Sequence, residues 1–126
     1  MGNLENIINE AWENKDQVDP NSDQSLKDAI NQVINNLDSG KSRVAEKIDG
    51  AWKTHQHLKK AIMLSFRVYE NDILSGPYSV WRDRQNLLKG KTAGWTKEEF
   101  DKAGFRMVPN SPVRKGSFVG KDAVLM

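Results

Sequence analysis

With 126 residues, the chain has room for one domain that buries roughly two-thirds of its unfolded surface. A net charge of +2, from 19 basic and 17 acidic side chains, is too small for the basic stripe of a nucleic-acid binder, and the mixing of signs leaves no polybasic membrane patch. No apolar run approaches the roughly twenty residues of a membrane span, the amphipathic, acidic start is unlike a secretory signal, and the absence of cysteine removes disulfide and thiolate chemistry from the chain. A cytoplasmic protein is the expectation.

Leu4, Ile7, Ile8, Ala11 and Trp12 repeat at helical spacing and predict a first amphipathic helix. A polar stretch around Pro20 ends it, with Ser22 or Asp23 available to cap a second helix marked by Leu26, Ala29, Ile30, Val33, Ile34 and Leu37. Gly40 is placed to take the left-handed conformation after that helix. The two helices are expected to pair as a hairpin, with their stripes as core.

Asp49-Gly50 between residues 43–48 and 51–54 signals a tight β-hairpin, and counting outward sets Glu46 opposite Lys53 and Lys47 opposite Trp52. An opposite-charge pair and a lysine stem over an indole both suit an exposed ribbon. Thr54 is then expected to cap a third helix, carrying Leu58, Ala61, Ile62, Phe66 and Tyr69, with Met63 and Leu64 widening its apolar surface, and ending near Asn71, as the most buried of the three. From Ser75-Gly76-Pro77 the pattern loses regularity. Residues 89–94 read as a mobile basic loop with Trp81 and Trp95 at its edges. Thr96-Lys97-Glu98-Glu99 is a capping box for a short helix that Gly104 stops after Ala103.

Residues 105–109 read as extended. Beyond them Val113, Val119 and Leu125 recur with a period of six, and Ser117 and Ala123 follow four places after the first two. This is the spacing of hexapeptide-repeat β-helices, in which each unit forms one side of a triangular coil and the aliphatic stacks on its equivalents in neighbouring coils. The fold class expected is α+β: a helical domain with a β-hairpin over residues 1–104, leading into the first, truncated coil of a left-handed β-helix over residues 105–126. About two sides of a coil are visible, so the chain is expected to be the front part of a larger functional unit. Its tail should be disordered or paired with another chain, since unpaired edges seek partners.

Chemistry is sparse. His55 and His57 lack a third ligand nearby and read as surface histidines, since zinc sites take three or four. Gly40-Lys41-Ser42 lacks the upstream glycine of a phosphate-binding loop, and no nucleophile elbow occurs. Lys59-Lys60 reads as a solvated face. Arg106, between Phe105 and Met107, offers a fork suited to a carboxylate, either of a local acid or of a ligand.

Asn31-Gln32-Val33-Ile34, Leu37-Asp38-Ser39-Gly40, Arg43-Val44-Ala45-Glu46-Lys47-Ile48-Asp49-Gly50, Thr54-His55-Gln56, Leu58-Lys59-Lys60-Ala61, Leu64-Ser65-Phe66-Arg67, Gly104-Phe105-Arg106, Val108-Pro109 and Val113-Arg114 resemble, in order, the front domain of the tetrahydrodipicolinate N-succinyltransferase family. The resemblance implies a homotrimeric acyltransferase of lysine and diaminopimelate biosynthesis, with succinyl-CoA as co-substrate and no tightly bound cofactor or metal. It implies that Arg106, in the matching Gly-Phe-Arg segment, binds the dicarboxylate acceptor. The catalytic acids and the CoA-binding stem are expected beyond Met126, so no catalytic residue is assigned here and the chain alone is expected to be inactive. Residues 81–89 fit the family poorly. The alternatives are a protein-interaction module with Val113, Val119 and Leu125 as its handle, and a weak nucleic-acid binder using Lys89 and Lys91.

Overall fold

Helices α1 (Gly2–Glu13), α2 (Gln24–Asp38) and α3 (Gln56–Ser65) pack each against the other two, in a computed structural model that describes residues 2–85 and 89–126. Their helical-period stripes meet in one core. Ile8, Ile30, Val33, Ala61 and Leu64 are fully buried, and Val68 closes the cluster from beyond α3. Each such aliphatic contributes about 1.5–3 kcal/mol by leaving water. The face of α3 differs from expectation: Leu58, Ala61, Leu64 and Ser65 are buried while Met63 is exposed. α2 is the more deeply seated helix, burying Ala29, Ile30, Val33, Ile34 and Leu37.

α3 also stops six residues short of the predicted end. The Ser65 hydroxyl donates to the Ile62 carbonyl at 2.6 Å, a local bond that competes with the helical ladder. The backbone then tightens, with Phe66 N–H donating to Met63 O and Arg67 N–H to Leu64 O. Capping differs too. Asp23 occupies the N-cap of α2 without a side-chain bond, Ser22 Oγ accepts from Asp19 N–H instead, and His55 replaces Thr54 at the N-cap of α3. Thr54 is held in strand β2.

β1 (Ala45–Ile48) and β2 (Ala51–Thr54) pair antiparallel in the predicted register, Glu46 beside Lys53 and Lys47 beside Trp52. Asp49 and Gly50 take φ of 51° and 81°, as a tight primed turn requires. A second hairpin was not expected: β3 (Asn71–Ser75) pairs with β4 (Val80–Arg84). Ile73 and Leu74 face Arg82 and Trp81, so Gly76-Pro77 is a hairpin loop between two short apolar-bearing strands. Trp81 lies over Gly76 in this ribbon. Residues 86–88 of the poorly fitting segment lie outside the described part.

α4 (Lys97–Ala103) has the predicted capping box and a left-handed Gly104 at its end. β5 (Arg106–Met107) then pairs in parallel with β6 (Val124–Leu125). Arg106 lies beside Val124 and Met107 beside Leu125, so three periods of six separate the partners. Met107, Val113, Val119 and Leu125 are all half-buried, the last three between exposed neighbours. The tail therefore pairs with its own chain, contrary to the expectation of disorder or an external partner. The architecture is α+β, with four α-helices and small antiparallel hairpins among the described residues.

Candidate functional site

Gly104 turns the chain out of α4 and sets two neighbours to opposite fates. Phe105 goes inward at 8% exposure, and Arg106 stays exposed. Phe105 packs against Trp95 and Phe100, with centroids 5.8 and 5.9 Å away, and Trp95 and Phe100 meet edge-on at 5.1 Å. This aromatic trio fixes the start of β5. Arg106 N–H donates to Ala123 O at 2.9 Å, and Val108 N–H to Leu125 O at 3.0 Å. Among the described residues no carboxylate pairs with the Arg106 guanidinium. It is an exposed cation on a paired strand.

The surface behind β5 is tied to the helices through Asp38, in the last turn of α2. Its Oδ1 accepts from Gly116 N–H at 2.8 Å. Lys91 Nζ donates to the Asp38 carbonyl at 2.8 Å and approaches Oδ2 at 3.1 Å. Lys91 N–H also donates to Val113 O at 2.8 Å. The Lys91 side chain is 6% exposed, so the loop expected to be mobile is anchored at Lys91. An acid at a helix C-terminus opposes the helix dipole, and a buried ammonium needs a counter-charge; each resolves the other's problem. Trp95 anchors this loop as expected, with Lys91 Nζ 5.8 Å from its ring, whereas Trp81 belongs to the β3–β4 ribbon.

A second tie lies beside it. Gly40 has φ of 77°, and a Cβ built there would stand 2.6 Å from the Phe118 ring. Arg43 stacks over the same ring, its Cζ 4.0 Å from the centroid. Together Trp95, Phe105, Phe118, Lys91, Lys102 and Lys121 line a cleft of about 500 Å³. Arg106 is not among its lining residues.

The remaining candidates are structural. His55 Nε2 meets Glu46 at 2.6 Å and His57 Nδ1 lies 3.5 Å from Glu5. No trio of potential metal ligands occurs among the described residues. Lys60, read as solvated, donates to Asn9 at 2.8 Å and ties α3 to α1. Lys91 is unavailable to a nucleic-acid backbone, and the apolar handle of the interaction-module reading is half-buried. Sequence reasoning missed Asp38 and Phe118 and misjudged Lys91. An uncompensated acid in the last turn of α2, which has no basic residue there, was the one available signal.

Comparison with known proteins places this geometry. The family model of the tetrahydrodipicolinate N-succinyltransferase N-terminal domain matches residues 3–68. A 2,3,4,5-tetrahydropyridine-2,6-dicarboxylate N-succinyltransferase of Pelagibacter ubique is 64% identical over the whole chain, which covers 46% of that relative. Enzymes of the same name from Actinobacillus succinogenes and Mannheimia succiniciproducens are 48% and 47% identical, again over the whole chain and 45% of each relative. The chain spans about half the length of the curated relatives it matches. By sequence and domain, the chain belongs to the tetrahydrodipicolinate N-succinyltransferase family.

Proposed function

We propose that the protein of which this chain forms the N-terminal part transfers succinyl from succinyl-CoA to tetrahydrodipicolinate, in the cytoplasm, as a step of lysine and diaminopimelate biosynthesis. The observation that carries the reading is the 64% identity extending over all 126 residues. Arg106 is the acceptor-binding residue in this reading. Its exposed guanidinium, held on a paired strand and free of ion pairs among the described residues, suits one carboxylate of the dianion.

The acceptor hydrates and opens to expose an amine. That amine attacks the thioester carbon of succinyl-CoA, a carboxylate base takes its proton, the new amide forms and CoA leaves. The base and the CoA cleft belong to the remainder of the protein, so this chain alone is inert. Residues 1–104 form the front domain and residues 105–126 open a left-handed β-helix, a reading supported by the parallel β5–β6 pair three hexads apart and by the half-buried positions 107, 113, 119 and 125. Stacked coils of three subunits then form the working trimer.

The test is thiol release from succinyl-CoA in the presence of acceptor. The full-length protein is expected to turn over and the isolated chain to be silent. Turnover by the chain alone, or none by the full-length trimer, would overturn the proposal.

A further inference from the structure

Between the β3–β4 ribbon and the Pro20 turn lies an open cleft of about 470 Å³. Arg67, Arg82 and Arg84 line it, from the end of α3 and from β4. Two of these guanidiniums are pre-positioned through backbone carbonyls. Arg67 Nη1 donates to Lys15 O at 2.8 Å, and Arg84 Nη1 donates to Tyr69 O at 3.1 Å. Each bond uses one donor of five and leaves the rest of the fork free.

The nearby acids do not cancel this charge. Asp83, between Arg82 and Arg84 in sequence, is engaged by Arg114 at 2.8 Å. Asp16 lies 3.7 Å from Arg67 but is 90% exposed, so solvent screens that pair. Asp19 lines the cleft while its Oδ1 accepts from Asn21 N–H at 2.8 Å within its own turn. Among the described residues Arg82 pairs with no carboxylate. Glu70, also on the lining, makes no ion pair among the described residues.

We infer that the cleft between the β3–β4 ribbon and the Pro20 turn binds a small ligand that carries one oxyanion group, held by Arg82 and Arg84 with Arg67, and one ammonium or hydroxyl donor, received by Glu70 and Asp19. Guanidinium forks match carboxylate and phosphate alike. The mixed lining selects against a bare polyanion, because the acids would repel a second negative group. The ligand also bridges a ribbon to a helical body. Two-stranded ribbons are marginal alone, so occupation orders residues 71–84. None of these residues belongs to the Arg106 surface, and the inference stands whether or not the succinyl-transfer reading does.

Amide chemical shifts of the protein at low salt are followed on titration with inorganic phosphate, phosphoethanolamine and β-alanine, for the native sequence and for Arg82→Gln and Arg84→Gln. Saturable shifts are expected at Asp19, Arg67, Glu70 and along β3–β4, with dissociation constants of about 1 mM or tighter. Phosphoethanolamine should bind at least about fivefold tighter than phosphate if the acids receive the donor, and β-alanine distinguishes a carboxylate from a phosphate preference. Arg82→Gln, on an exposed strand position, should weaken binding about tenfold while the unfolding midpoint holds. Absence of saturable shifts with all three probes, or variants that both bind as tightly as the native sequence, overturns the site; equal affinity for phosphate and phosphoethanolamine overturns the donor half.

Discussion

Lys91 Nζ grips both the backbone carbonyl and the carboxylate of Asp38, at 2.8 and 3.1 Å, with its own side chain only 6% exposed. The pair joins the end of α2 to a loop and, through Gly116 N–H, to the tail. It is the kind of ion pair whose loss is costly in one direction only. Removing one partner strands the other charge, whereas replacing both can be close to neutral.

Lys91→Met should therefore destabilise the fold by about 3 kcal/mol, and Asp38→Asn by less, since the amide still accepts from Gly116. Urea unfolding of the two single variants and of the double variant checks this. The double variant should be more stable than Lys91→Met alone; simple additivity would show that the pair is not coupled.

Gly40→Ala combines a left-handed backbone with a Cβ 2.6 Å from the Phe118 ring. The conformational part costs about 1–2 kcal/mol, and the clash adds to it. Thermal melting of Gly40→Ala in the native and Phe118→Leu backgrounds separates the two. A smaller penalty in the second background is expected.

Leu64→Ala should cost about 2–5 kcal/mol, as a fully buried core truncation, and Met63→Ala within about 0.5 kcal/mol. Leu64 has no exposed surface and Met63 is 49% exposed. Chemical denaturation of both variants tests which face of α3 meets the core. Equal penalties would place the helix in a different rotation.

In the full-length protein, Arg106→Gln should raise KM for the acceptor by about ten- to a hundredfold, the range of a lost charge-assisted contact. KM for succinyl-CoA and the unfolding midpoint should hold, because Arg106 is exposed and makes no ion pair among the described residues. Arg106→Lys should recover part of the loss by charge without the fork. An unchanged acceptor KM would remove Arg106 from the site.

Short-range physics was the readable part of this sequence. The stripe of α2, the Asp49-Gly50 register and the Thr96–Glu99 capping box each depend on residues a few positions apart, and all three appear as expected. The end of α3 was not readable, because a hydroxyl bond from Ser65 to Ile62 outweighed a continuing apolar pattern. The β3–β4 ribbon was obscured by charge: Asp72, Arg82, Asp83 and Arg84 interrupt the alternation that marks a strand. Arg106 was singled out by its chemistry, and its role came only from resemblance. Lys91 was misjudged because its partner lies at the far end of a helix, a long-range fact that local composition does not hold.

Asp38 ties residue 116 to a helix that begins at residue 24. A long loop must therefore close before this bond can form, and such a non-local contact weighs more on the folding rate than on the stability. The helices and the tail are expected to exchange their amides as one cooperative block, with Gly116 N–H as slow as the centre of α2.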